Sequence, residues 1–146
     1  MKIRKSIAAA GAAAVLGIGA ILLPAAASAH SASHTLKFIA VAQQSANFSK
    51  TASGQAGTDF SKAGKIIGFD VLYFAFNPTT HKPSGGVTLD TNGGFLYGAL
   101  HPTKGPVTHG VVTGGTGKFQ GVTGTITGRS LNKSGTRTAV TITYHS

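Results

Sequence analysis

The chain has 146 residues with 13 Lys and Arg against three acids, all Asp, and it holds 21 Gly but no Cys, Trp or Glu. Without glutamate, and with Asp59, Asp70 and Asp90 far apart in sequence, a two-carboxylate hydrolase has little basis. Without cysteine there is no thiolate nucleophile and no disulfide, and no Gly-x-Ser-x-Gly elbow occurs.

The N-terminus reads as an export signal. Lys2, Arg4 and Lys5 precede an apolar run from Ile7 to Leu23, and Ala27-Ser28-Ala29 supplies the small residues of a cleavage site. Residues 1–29 are therefore expected to be removed, leaving 30–146 as a single domain of a secreted, extracellular protein with no membrane segment after cleavage. That mature part keeps ten Lys and Arg against three Asp, a formal charge of +7. Its lysines are spread singly along the chain, which reads as a solvated cationic surface and offers no basic, aromatic-interleaved face for specific nucleic-acid binding.

Cleavage after Ala29 would expose the α-amine and imidazole of His30, with His34 four residues on. Copper accepts both nitrogen types, so copper binding through His30 is one alternative. Against it, His30-Ser31-Ala32-Ser33-His34 reads as an unstructured tail.

Beyond the tail, turn signals recur at short intervals and the stretches between them alternate like strands. The expected strands are Thr35 to Gln43, Ile66 to Asn77, Gly86 to Asp90, Gly94 to Leu100, Val107 to Thr113, Phe119 to Leu131 and Thr136 to His145. The piece from Gln44 to Gly64 is rich in small polar residues, with Phe48 and Phe60 as anchors, and reads as an ordered loop or irregular strand. In the last strand Val140, Ile142 and Tyr144 share one face. The strand from Ile66 is apolar on both faces, so one side meets the core and the other awaits a segment, a subunit or a ligand.

Asp70 shares a face with Leu72, Phe74 and Phe76; buried there, it would have a raised pKa and could donate or accept a proton. The alternative is a structural carboxyl that reaches a loop amide or a lysine. His109 lies on a face with Val107, Val111 and Thr113 and is the second candidate catalytic group, with a hydrogen-bonded core or mouth histidine as its alternative. Tyr73, Phe95 and Tyr97 are the candidate ligand-binding wall, although aromatics at strand period also build ordinary cores.

Gly114-Gly115-Thr116-Gly117 forms a turn that feeds a strand carrying Gly121, Gly124 and Gly128, spacing suited to a curved, closing sheet. Gly117-Lys118 has Phe119 where a phosphate-binding loop needs Ser or Thr, so a hairpin is the better reading. The run from Gly114 to Gly128 resembles the GGTGxFxGxxGxxxG hairpin of the allene oxide cyclase barrel-like proteins, relatives in fold of the dirigent proteins, and the resemblance extends from Gly64 to Tyr144. It implies an all-β fold, a small antiparallel up-and-down barrel of about eight strands whose interior can hold one small molecule.

It also implies binding of a small hydrophobic molecule, with isomerase, cyclase or stereochemical-guide activity and no cofactor. The plant cyclases rely on a pocket glutamate, which this chain lacks. The chain is also a candidate homo-oligomer, and the competing reading is a noncatalytic cationic surface or assembly protein with a barrel filled by side chains. Interior volume separates the two.

Overall fold

Eight antiparallel strands run in sequence order around a closed barrel in the computed structural model, which describes residues 32–146. They are β1 (Ser33–Ser49), β2 (Ala52–Phe60), β3 (Ile66–Asn77), β4 (Lys82–Thr91), β5 (Gly94–His101), β6 (Val107–Gly115), β7 (Thr123–Ser130) and β8 (Arg137–His145). A single 3₁₀ turn, Gly117–Phe119, lies between β6 and β7. β1 pairs with both β2 and β8, so the sheet has no free edge and every interior ladder is occupied. The expected barrel is thus the observed fold. The expected signal peptide and His30 lie outside the described residues.

Several elements differ from the sequence reading. β4 begins at Lys82, four residues before the expected Gly86. Ser33 and His34 of the segment read as a tail belong to β1, where they pair with His145 and Tyr144. The segment from Gln44 to Gly64, read as an ordered loop or an irregular strand, holds the end of β1 and the whole of β2, a nine-residue strand paired on both sides. β2 has few strand-favouring residues; its extended form is imposed by ladders to β1 on one side and β3 on the other. The long strand expected from Phe119 starts only at Thr123, because Gly117 (φ +59°) and Gly121 (φ +73°) turn the chain through the 3₁₀ segment first.

Connections alternate between the two ends of the barrel. The β2–β3, β4–β5 and β6–β7 turns share one end with the start of β1 and the end of β8, and the β1–β2, β3–β4, β5–β6 and β7–β8 turns share the other. The first end is closed by Phe119, Val122 and Leu96, each at most 1% exposed, with Phe119 set edge-on to Tyr144 at 5.4 Å. Alternate residues of the strands extend this core upward through Phe38, Leu89, Leu100, Ile126 and Ile142. The core therefore fills one end of the barrel. The other end remains open.

Candidate functional site

A cavity of about 340 Å³ occupies the barrel above that core. Its wall is mainly apolar, with Phe38, Leu72, Phe74, Val87, Leu100 and Val140 supplied by five strands. Pro106 from the β5–β6 connection and Ser134, Gly135 and Thr136 from the β7–β8 connection line it as well, so the cavity reaches the end where those turns lie. Ser130 and Thr138 add hydroxyls near that rim, and Gln55 contributes an amide from β2.

Among the described residues, Asp70 is the one ionisable group of the wall. It is 6% exposed, and its Oδ1 has no hydrogen-bond partner. Across the ladders it faces Gly57 of β2 and Leu89 of β4. A Cβ at residue 57 would collide with Asp70 Oδ1 and lie 2.9 Å from the Val41 carbonyl oxygen, so glycine there makes the room in which the carboxyl sits.

Asp59 lies one layer deeper, between Ala40 of β1 and Gly68 of β3. It is fully buried, outside the cavity wall, and neither carboxyl oxygen has a hydrogen-bond partner. Burial raises its pKa from 3.8 to about 7, and the charge of Asp70 adds to that rise. Asp70 is raised by burial to about 6, partly offset by a hydrogen bond from its own backbone amide. No cation lowers either group. Near neutral pH the pair is therefore partly protonated and carries a partial negative charge in an apolar setting.

Asp70 is thus placed on the cavity, where it has the surroundings of a proton donor or acceptor. The other sequence candidates are elsewhere. His109 is exposed on β6, paired across the ladders with His101 and Thr127. Tyr73, Phe95 and Tyr97 are 49%, 42% and 39% exposed and none lines the cavity.

The reason lies in strand parity. The inward positions of β3 are taken by Asp70, Leu72 and Phe74, those of β5 by Leu96, Gly98 and Leu100, and those of β6 by Thr108, Gly110 and Val112. The residues between them must point outward. Sequence reasoning set Asp59 aside as too far along the chain from Asp70 to pair with it, whereas the β2–β3 ladder brings the two onto successive rungs of one face. The spacing of Asp59 from Gly57, which matches that of Asp70 from Gly68, was the available signal.

Outside the barrel, Phe69, Val71 and Tyr73 of β3 stand near Phe95 and Tyr97 of β5, whose rings are parallel within 6° at 6.5 Å. The outward positions of β4 between them are Gly86, Thr88 and Asp90. Among the described residues, no Lys or Arg interrupts this patch. The second apolar face of β3 is therefore an exposed surface of the single chain.

No protein-family model matches the sequence, and no curated protein matches it. Among solved structures, pyocyanin demethylase superposes with a TM-score of 0.60 at 20% identity, covering 76% of this chain and 99% of that one. At that identity the likeness is one of fold. A pterocarpan synthase dirigent protein gives a TM-score of 0.47 at 14% identity, covering 79% of this chain and 83% of that one.

Proposed function

We propose that the chain is an exported barrel that binds one small hydrophobic molecule in its interior and presents the Asp70 carboxyl to it. The observation that carries this reading is the unfilled cavity of about 340 Å³, apolar on its walls with a single ionisable group. Its volume falls at the small end of known ligand pockets. A fold shared with a protein that, by its name, acts on pyocyanin is in keeping with such a cavity.

On this reading any chemistry is an isomerisation or ring closure of the allene oxide cyclase or dirigent kind, steered by shape. Walls that hold one conformer supply rate and selectivity through orientation, and Asp70 gives or takes the proton. Asp70 would then stand in for the glutamate that the plant cyclases use. The competing picture of a barrel plugged by its own side chains does not fit an open interior.

The decisive experiment is native mass spectrometry of the protein purified from its own culture medium. The expected spectrum shows a chain beginning at His30 with a retained molecule of a few hundred daltons. A chain with its first 29 residues intact would refute the export assignment, and a bare chain that takes up no apolar compound would refute the binding assignment.

The outer patch supports a further element of the proposal, that a second copy of the chain covers it. All ten cations of the described residues are exposed, and two such surfaces repel except where both are uncharged. The face of Phe69, Val71, Tyr73, Phe95 and Tyr97 is uncharged apart from Asp90 and is self-complementary in character.

A further inference from the structure

We propose that the molecule taken by the cavity is an organic cation, an apolar body bearing a protonated amine whose N–H groups donate to Asp70. The inference rests on the cavity-binding reading and specifies its ligand class. It follows from how charge is divided between the inside and the outside of the barrel.

All ten Lys and Arg side chains of the described residues are exposed, whereas two of the three acids are buried. Interior carboxyls are ordinarily paired with a cation or saturated by donors, because an uncompensated buried charge is costly. Here Asp70 Oδ1 and both oxygens of Asp59 have no partner. The side chains that flank the pair across the ladders offer none, with Ala40 and Ala42 on β1, Leu89 on β4, and Gly57 and Gly68 on β2 and β3. The Gln55 amide and the Ser and Thr hydroxyls that also line the cavity leave Asp70 Oδ1 without a partner. Among the described residues, no Lys, Arg, His or Tyr lines the cavity. The missing counter-charge must come from what enters.

An ammonium group fits that role chemically. It is a pure donor, matching acceptors that lack donors, and its charge opposes the net charge of the pair. A neutral apolar ligand without N–H or O–H would leave Asp70 Oδ1 unpaired, and an anion would add repulsion in a low-dielectric site. Asp59, fully buried behind Asp70, strengthens the local negative field without touching the ligand; it is a positioning group. Because burial holds both carboxyls partly protonated near neutrality, binding a cation should expel a proton.

The test uses three probes with one apolar body: 1-adamantanamine, 1-adamantanol and 1-adamantanecarboxylate, titrated calorimetrically into the mature protein from pH 5 to 8. At pH 8 the amine should bind at least tenfold more tightly than the alcohol, and the carboxylate least tightly. At pH 5, with Asp70 protonated, the advantage should vanish. Near pH 6.5, heats in buffers of different ionisation enthalpy should report proton release by the amine alone.

Asp70→Asn should abolish the amine's advantage while the alcohol binds as before, which also reports that the variant is folded. Asp59→Asn should diminish the advantage without abolishing it. Equal binding of amine and alcohol at pH 8, tighter binding of the carboxylate, or an advantage that survives Asp70→Asn would overturn the proposal while leaving apolar binding intact. Failure of all three probes to bind would remove the cavity-binding reading together with it.

Discussion

Asp59 and Asp70 stand on one diagonal of the β2–β3 ladder, and the other diagonal is glycine: Gly57 opposes Asp70 and Gly68 opposes Asp59. Each carboxyl therefore faces a position without a side chain. The arrangement gives two buried acids room to sit near each other inside an apolar barrel, and it sets the chemistry of the cavity floor. Both acids hold their protons far above the usual carboxylate range, and stability should record this.

The folded chain keeps protons on these groups up to about 6 and 7, whereas the unfolded chain loses them near 3.8. Between those values the folded state binds more protons, so stability falls as pH rises. Their contribution is fully present below 3.8 and is lost as pH climbs through about 6 to 7. Each pKa unit is worth about 1.4 kcal/mol. Melting temperature is expected to drop by on the order of 20 °C between pH 4.5 and 8, and Asp59→Asn should flatten much of that slope. A wild-type profile that rises over this range, or one that Asp59→Asn leaves unchanged, would contradict the assignment.

Gly57→Ala places a Cβ against Asp70 Oδ1 and near the Val41 carbonyl. A cost of about 1–3 kcal/mol is expected, as for other overpacked interiors. Combining it with Asp70→Ala should recover part of the loss, and a double-mutant cycle by urea denaturation measures the coupling. Strict additivity of the two changes would show that the glycine serves the backbone alone.

Gly117 has φ +59°, and any Cβ there would meet the Gly93 carbonyl oxygen. Gly117→Val should therefore cost at least about 1–3 kcal/mol. Gly124 has ordinary dihedrals, but a Cβ would run into the Thr143 carbonyl oxygen of β8, so Gly124→Val should open the β7–β8 ladder locally. Hydrogen exchange at Tyr144 and Thr143 would report the opening. Unchanged melting temperatures in both variants would refute this account of the glycine hairpin.

If a second copy covers the outer face, sedimentation velocity should show an oligomer that Tyr97→Lys with Val71→Lys converts to monomer, because each lysine adds like charge to both sides of the contact. A wild type that stays monomeric at high concentration would end this part of the proposal.

Much of the fold was legible because alternation and turn chemistry agree along most of the chain. Val140, Ile142 and Tyr144 read as one face and do point inward. β2 was not legible: its Ala, Ser, Gly and Gln residues have no strand preference of their own, and tertiary pairing makes them a strand.

The site was half legible. Asp70 could be placed with Leu72 and Phe74 by parity, yet parity does not say which apolar face of a strand is the inner one. In the fold Leu96 and Leu100 take the inner positions of β5 beside Leu89 and Ile126, and Phe95 and Tyr97 the outer ones. Tyr97→Ala, the natural test of an aromatic pocket wall, should accordingly leave ligand affinity unchanged.

The central claim is that the interior is a binding cavity, and filling it is the most direct test. Val140 lines the wall midway along β8, and Val140→Trp places an indole in the space a ligand would take. Fluorescence titration with N-phenyl-1-naphthylamine should show saturable one-to-one binding to the mature wild type and its loss in Val140→Trp, with the barrel's circular dichroism retained. Equal binding to both proteins, or none to the wild type, would contradict the claim.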